Sequence, residues 1–207
     1  MKKKAIIFDL DNTIYSAPSI GNELFASLFE LISHSDLHHQ NLDQIKEDIM
    51  RKPFQVVAKE HHFSADLTAQ GVALLKELTY DGKIEPFPDY HITKNIKADK
   101  YLVTTGFKKL QKSKVAGMKI GSDFKEIHIV DPSTSEQTKR DVFADIIRRH
   151  DYSKAEVLVI GDDLHSEIRA AQDLGIEAIL YDRENRYAEP ATIRKISNYN
   201  ELQSLLI

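Results

Sequence analysis

The sequence predicts an α/β fold, in which a parallel sheet is covered by helices on both faces. Five short apolar segments, partly β-branched, have the composition of buried strands. They are AIIFDL from Ala5, YLVTT from Tyr101, EIHIV from Glu126, EVLVIGDD from Glu156 and EAILY from Glu177. Helical patterns separate the later segments, and alternating strands and helices give parallel strands with right-handed crossovers. We therefore expect a three-layer α/β/α core with its site at the carboxyl ends of the strands.

Three amphipathic patterns in the sequence predict the helices of this core. The first runs from Leu110 and Lys114 through Met118, the second covers 142–147, and the third covers 168–174. Each stripe places its apolar residues on one helix face. Gly175 directly follows the third stripe and predicts the end of that helix.

The interval between the first two strands indicates an insertion. About ninety residues separate them, whereas a single crossover needs only about a dozen. Apolar spacing predicts amphipathic helices at 19–34 and 66–80, and LDQIKEDI from Leu42 predicts a third. Prolines 86 and 88 predict a stiff linker back to the sheet.

Composition excludes several classes of protein. The chain has 207 residues, 42% hydrophobic and 29% charged, which is typical of a globular protein. It has no cysteine, so disulfides and thiolate chemistry are excluded, and we expect a cytoplasmic location. A net charge of −4 without a basic stripe argues against polymeric nucleic acid as a partner. No apolar run approaches the roughly 20 residues of a membrane span, so we expect no membrane partner.

Asp9 and Asp11 follow the first strand, two residues apart. A period of two points both carboxylates the same way. At about 4 Å and an effective dielectric near 20, their repulsion costs on the order of 4 kcal/mol, so a cation or a shared proton is needed. The alternative is an acidic strand-to-loop turn without chemistry.

A second group of acidic residues stands at the end of the predicted strand that begins at Glu156. Asp162 and Asp163 close that strand, and Glu167 follows five residues after Asp162. If the two acidic strands are neighbours, four or five carboxylates converge, and a hard divalent cation such as Mg²⁺ would make the site favourable. Alternatively, Glu167 is a surface residue in the first turn of a helix.

Thr104, Thr105 and Gly106 end the second strand and offer a hydroxyl and turn N–H groups to phosphate oxygens. The alternative is a threonine that caps the next helix. Lys139 opens a helix, where its charge opposes the dipole unless it faces the acidic cluster. The alternative for Lys139 is a solvated surface lysine.

Histidines 34, 38 and 39 have the spacing of ligands on one helix face, but no closing carboxylate pattern lies nearby. We interpret them as surface residues of the insertion.

Together these residues resemble the haloacid dehalogenase superfamily of phosphohydrolases. FDLDNTIY is similar to its first motif, D-x-D-x-T after a strand, and LVTTG is similar to its second. Lys139 is similar to the third motif and GDDLHSE to the fourth. All four occur in the family's order.

The resemblance implies a Rossmann-like core at 1–15 and 86–207, with a helical cap at 16–85. It implies that Asp9 attacks phosphorus, that Asp11 is the acid/base, and that Thr104 and Lys139 bind the transferred group. Mg²⁺ would be held by Asp9, the Asp11 carbonyl and Asp162. Glu167 would orient these ligands, and Asp163 is either a further ligand or an outward-facing residue. The expected reaction is Mg²⁺-dependent hydrolysis of a small phosphorylated metabolite, such as a nucleoside monophosphate or a sugar phosphate.

Three alternatives remain open at this point. A dehalogenase of the same fold typically lacks the second aspartate, so Asp11 argues against it. A phosphomutase shares all four motifs. A phosphorylated receiver domain uses similar groups as a switch, but it has no insertion comparable to that between Tyr15 and Tyr101.

Overall fold

The computed structural model describes residues 2–35, 41–187 and 193–205, and its centre is a parallel sheet. The strands in chain order are β1 Ala5–Phe8, β2 Asp99–Thr105, β3 Glu126–Val130, β4 Val157–Gly161, β5 Glu177–Tyr181 and β6 Arg194–Ile196. Their spatial order is β3-β2-β1-β4-β5-β6, and all five pairings are parallel. The predicted α/β class is confirmed, and β1 lies between β2 and β4.

The central strands β1 and β4 are buried along their whole length, which explains why both are continuous apolar runs. Ile6 and Phe8 belong to one hydrophobic cluster and Ala5 and Ile7 to the other, as alternation along a strand requires. Residues of the helices at 108–118 and 199–205 join the first cluster, and residues of those at 139–149 and 169–174 join the second. The core is therefore three layers deep.

Among the described residues, five α-helices lie between β1 and β2, and a 3-10 helix, Tyr90–Asn95, follows them. The α-helices are α1 Pro18–Leu24, α2 Ala26–Ser33, α3 Leu42–Ile49, α4 Phe54–Glu60 and α5 Ala65–Glu77. The prediction of a single helix at 19–34 is wrong in one respect, because this segment forms two helices that meet at Phe25. The ψ of 13° at Phe25 turns the chain between α1 and α2. The apolar stripe continues through this bend, so periodicity does not predict it.

The ends of this helical layer follow from local chemistry. The Ser64 hydroxyl accepts the Leu67 N–H and starts α5, and Leu78 ends it in extended geometry, two residues before the predicted end at 80. Helix α4 starts after Pro53 and was not predicted. Helices α1 to α5 contact one another in sequence and α5 also packs on the helix at 108–118. The boundaries at 15/16 and 85/86 stay predictions.

The remaining helices lie in the core. They are α6 Lys108–Met118, α7 Lys139–Arg149, α8 Arg169–Leu174 and α9 Tyr199–Leu205, with a π-helical turn, Leu164–Ile168, leading into α8. Gly175 ends α8 with a φ of +71°, as predicted. The sequence did not predict β6 or α9. Among the described residues, no helix has the length and apolar content needed to cross a membrane.

Candidate active site

Three buried carboxylates meet beyond the ends of β1 and β4. Asp9 follows β1, Asp162 follows β4, and Glu167 lies in the π-helical turn. One oxygen of each lies within 4.8 Å of the others. Three carboxylates converge, rather than the four or five that were predicted, because β1 and β4 are hydrogen-bonded neighbours in register, with Phe8 opposite Ile160. Three hard oxygen donors in this space are the ligand type that Mg²⁺ prefers.

Lys139 lies between two of these carboxylates. Its Nζ is 2.6 Å from Asp9 Oδ1 and 2.7 Å from Glu167 Oε2, and the side chain is 8% exposed. A capping box between Thr138 and Asp141 fixes the start of α7 and thereby directs Lys139 inward. The solvated-surface alternative for Lys139 is wrong in this structure.

The acidic cluster has too little positive charge of its own. Burial raises the pKa of Asp9 well above its ordinary value, and repulsion from Glu167 and Asp162 adds to this rise although Lys139 opposes it. Burial, with repulsion from Glu167, raises the pKa of Asp162 to about 7 despite the guanidinium of Arg186. Raised pKa values show that these carboxylates would gain from a further cation. The residues therefore fit a divalent metal ion.

Glu167 is held in place by both of its oxygens. Oε2 accepts from Lys139, and Oε1 accepts the Asp163 N–H at 2.8 Å. Burial would raise the pKa of Glu167, but the Lys139 ammonium and these hydrogen bonds lower it. The surface alternative for Glu167 is wrong, since only 1% of the residue is exposed. Asp163 Oδ1 accepts the His165 N–H and caps the π-helical turn, and Asp163 is not in the three-carboxylate cluster.

Asp11 lies apart from the cluster and has its own partners. Lys114 Nζ is 2.7 Å from Oδ1, the Tyr15 hydroxyl donates to the same oxygen, and Gln111 Nε2 donates to Oδ2 at 2.8 Å. Burial would raise the pKa of Asp11, but Lys114 and the hydrogen bonds outweigh it and lower the pKa. Asn12, with a φ of 57°, turns the chain between Asp11 and the helical layer.

The carboxyl end of β2 lies beside Asp11. Thr104 is buried and its Oγ1 accepts from Gln111 Nε2 at 2.8 Å, while the Thr105 carbonyl accepts from the same nitrogen at 3.0 Å. Thr104 is not a cap, because α6 begins after Phe107. Gly106 has a φ of +150°, and its N–H donates to the Val130 carbonyl at 2.9 Å. The Gly106 N–H thus has a backbone partner, and its role in phosphate binding stays a prediction.

Sequence reasoning missed three charged or polar residues near the site. Gln111 and Lys114 lie on α6, and both occupy buried positions, at 2% and 5% exposure. A polar residue on an apolar stripe was the available signal for both. Arg186 donates to Asp162 Oδ2 at 2.6 Å from the loop after β5. It lies outside any periodic element, so no local pattern indicates it.

Of the three histidines singled out in the sequence, the structure describes His34, which is not in the three-carboxylate cluster. His34 is the C-cap residue of α2, whereas His38 and His39 lie outside the described residues. The surface interpretation of all three stays a prediction.

The fold and the acidic strand ends define a class: an α/β enzyme with a buried aspartate beside a potential metal site. A family model described as haloacid dehalogenase-like hydrolase matches residues 6–181. The chain belongs to this hydrolase family.

Individual relatives agree with this assignment. Glyceraldehyde 3-phosphate phosphatase of Methanopyrus kandleri is 24% identical over 192 residues, which cover 85% of this chain and 82% of the relative. The hydrolase SP0104 of Streptococcus pneumoniae has the same fold, with a TM-score of 0.74, 17% identity and 99% coverage of each chain.

Other solved structures share the fold. The HAD-hydrolase YfnB of Bacillus subtilis, solved with magnesium, has a TM-score of 0.68 and 20% identity, with 100% of this chain and 99% of that chain covered. L-2-haloacid dehalogenase of Xanthobacter autotrophicus has a TM-score of 0.60 and 14% identity, with 99% and 98% covered. The fold therefore serves both phosphate and carbon–halogen chemistry, and the site residues must distinguish them.

Proposed function

We propose that the protein is a Mg²⁺-dependent phosphomonoester hydrolase that acts through an aspartyl phosphate on Asp9. The observation that carries the proposal is the buried cluster of Asp9, Asp162 and Glu167, with Lys139 between Asp9 and Glu167. An anionic nucleophile can approach an anionic ester only if nearby positive charge offsets the repulsion. Lys139 supplies part of that charge.

Each residue has a defined part in the two displacements. The Asp9 carboxylate attacks phosphorus, the ester oxygen leaves with a proton from Asp11, and a phosphoenzyme remains. Asp11 then takes a proton from water, whose oxygen attacks phosphorus and releases inorganic phosphate and free Asp9. Thr104 and Lys139 bind the oxygens of the transferred group, with Thr105 and Gly106 at the same strand end.

The metal would be held by Asp9, the carbonyl of Asp11 and Asp162, and Glu167 would orient these groups. When bound, Mg²⁺ would neutralise charge on the nucleophile and the phosphoryl oxygens. Asp163 caps the neighbouring turn and is proposed to act only through that turn.

The helices between β1 and β2 are proposed to form a cap, residues 16–85, over this site. Asn12 Nδ2 donates to the Met50 carbonyl at 3.5 Å, and Arg51 pairs with Glu184 at 3.0 Å in the loop after β5. The turn after α3 thus contacts the segment after β1 and the loop after β5, which supports the proposed cap.

The proposed substrate is a small phosphorylated metabolite, either a nucleoside monophosphate or a sugar phosphate. The name of the Methanopyrus kandleri relative favours a sugar phosphate. We expect neither polymeric nucleic acid nor a membrane as a partner, and we expect a cytoplasmic location because the chain contains no cysteine.

Three competing functions are separable by experiment. A dehalogenase needs no leaving-group acid, so the three-partner environment of Asp11 argues against it. A phosphomutase would return an isomerised sugar phosphate without free phosphate. A receiver-like switch would be phosphorylated once and would not turn over.

The decisive test measures phosphate release from a panel of nucleotides and sugar phosphates, including glyceraldehyde 3-phosphate, with Mg²⁺ or a chelator. We expect turnover only with metal, and we expect Asp9→Asn to lose at least about 10³-fold in kcat because the nucleophile is absent. Wild-type activity in Asp9→Asn would refute the nucleophile. Isomerised product without phosphate would establish the mutase instead.

A further inference from the structure

We infer that Arg186 is a positioning residue that holds the Asp162 carboxylate in place for the metal ion. This inference rests on the proposed function, in which Asp162 is a ligand of Mg²⁺. Arg186 lies in the loop after β5 and belongs to none of the four sequence motifs. The resemblance to the family therefore assigns it no role.

Arg186 is the hydrogen-bond partner of the Asp162 side chain. Its Nη2 donates to Asp162 Oδ2 at 2.6 Å, and no other hydrogen bond reaches this carboxylate from the described residues. Asp162 Oδ1 therefore keeps its lone pairs, and a carboxylate can accept from a guanidinium through one oxygen while it binds a cation through the other. Arg186 thus need not leave Asp162 when Mg²⁺ binds.

The other two carboxylates of the cluster support this division between oxygens. Glu167 accepts a hydrogen bond at each of its two oxygens. Asp9 accepts from Lys139 at Oδ1, and its Oδ2 accepts no hydrogen bond from the part of the chain that the structure describes. The two residues that keep an unbonded oxygen, Asp9 and Asp162, are the two whose side chains are proposed to bind the metal. Arg186 therefore holds its carboxylate by one oxygen, as Lys139 holds the proposed nucleophile.

The loop after β5 fixes the backbone of Arg186. Asp182 is 1% exposed, and its two oxygens accept the backbone N–H groups of Arg186 and Tyr187 at 2.8 Å and 3.0 Å. The guanidinium lies over the Tyr187 ring, 5.4 Å from the ring centre. A side chain can position its partner only if its own backbone and rotamer are held by hydrogen bonds and packing. Arg186 meets both conditions.

The bond to Asp162 also explains why the guanidinium occupies this position. Its Nε is buried and has no hydrogen-bond partner among the described residues, and Glu184 Oε2 lies 3.8 Å from it. A buried N–H without a partner is unfavourable. The charge-assisted bond from Nη2 to Asp162 is therefore the interaction that favours this arrangement of Arg186.

Two other roles for Arg186 predict different metal affinities. A cation that only takes the place of Mg²⁺ would compete with it, so removal of Arg186 would strengthen metal binding. A residue that only stabilises the loop would leave the metal affinity of the folded protein unchanged. A positioning residue predicts weaker binding, because loss of a hydrogen-bond partner of a metal ligand typically costs about 10- to 100-fold in affinity.

The experiment titrates Mg²⁺ into the metal-free, full-length protein by calorimetry and compares the wild type with Arg186→Met, Arg186→Lys and Arg183→Met. For Arg186→Met we expect the Kd of Mg²⁺ to rise by about 10- to 100-fold. Arg186→Lys keeps the charge without the planar guanidinium and should recover part of this loss. Arg183 is the matched control, because it lies in the same loop but pairs with Asp89 at 3.1 Å and packs over Phe87. Arg183→Met should leave the Kd unchanged.

Phosphate release as a function of Mg²⁺ concentration gives a second readout. Arg186→Met should need about 10- to 100-fold more Mg²⁺ for half-maximal activity. Most of its activity should return at saturating Mg²⁺, because the residue acts through the metal ligand. A general disruption of the site would instead lower kcat at every Mg²⁺ concentration and would count against the positioning role.

Circular dichroism and thermal unfolding check that each variant folds. If Arg186→Met does not fold, Arg186→Gln is measured in its place, and the Kd of Mg²⁺ should again rise. Unchanged or tighter Mg²⁺ binding in the folded variant would overturn the positioning role while leaving the proposed phosphatase intact. If the wild type binds no Mg²⁺ in calorimetry, the proposed function fails and this inference fails with it.

Discussion

Replacing Lys139 by methionine tests how the buried carboxylates are stabilised. The structure gives the magnitude: Asp9 and Glu167 present oxygens within 4.8 Å of each other. With an effective dielectric near 20, two unit charges at that distance repel by about 3.5 kcal/mol. Lys139 offsets this repulsion from 2.6 Å and 2.7 Å, and methionine has a similar length without the charge.

We therefore expect Lys139→Met to lower the free energy of unfolding by about 3 to 5 kcal/mol in chelator at neutral pH, the range for breaking a buried pair. For a chain of this size the midpoint of thermal unfolding should fall by about 6 to 20 °C. If Mg²⁺ binds the folded carboxylate cluster as proposed, added Mg²⁺ should recover part of the loss.

Urea unfolding followed by circular dichroism measures the difference, with and without Mg²⁺. Arg140→Met is the matched control, because Arg140 is the next residue of α7 and is exposed. It should change stability by less than about 0.5 kcal/mol. If Lys139→Met unfolds within about 1 kcal/mol of the wild type in chelator, the charge argument for this cluster is refuted.

Two further predictions concern single residues. In Gly161→Ala the new Cβ would overlap the Glu167 side chain. We therefore expect the free energy of unfolding to fall by about 1 to 3 kcal/mol and Mg²⁺ to bind more weakly in calorimetry. An unchanged Mg²⁺ affinity would contradict the overlap. Glu126 begins β3 and lies outside the three-carboxylate cluster. Hydrogen bonds from Arg149, and then from His150 and His128, lower the pKa of Glu126, although burial would raise it. Because this pKa is lower in the folded state, the stabilisation is present above the ordinary glutamate pKa and is lost as pH falls through the folded value. Glu126→Gln should therefore cost about 1 kcal/mol at pH 7, with a difference from wild type that shrinks below about pH 4. A difference that grows as pH falls would contradict this assignment.

The sequence predicted those parts of the fold that depend on strong local patterns. Five apolar runs became β1 to β5. β1 and β4 are buried along their whole length, and a strand buried on both faces must be apolar throughout. β6 has three residues, Arg194–Ile196, and two of them are charged, so no apolar run indicates it. It forms because β5 offers an unpaired edge.

The site shows the same division between local and long-range information. Asp9 and Asp162 were predictable because each directly follows a strand, and the order of the strands brings them together. Arg186, by contrast, reaches Asp162 across 24 residues from an irregular loop. Lys114 was placed on a helical stripe by its spacing, but its ion pair with Asp11 spans 103 residues and depends on packing.

Tyr199 ties the end of the described chain to the turn that follows the proposed nucleophile. Its hydroxyl donates to the Thr13 carbonyl at 2.7 Å, and its ring stacks on Tyr181 in the core. The two bonded residues are 186 positions apart. The turn is therefore synthesised early, and its hydrogen bond to Tyr199 can form only after α9 has been synthesised. Likewise, β1 can pair with its two neighbours in the sheet only after β2 and β4 have been synthesised. The nascent chain therefore contains Asp9, the proposed nucleophile, long before the strands and the helix that support this part of the site have been synthesised. We expect catalytic activity to appear late in biogenesis.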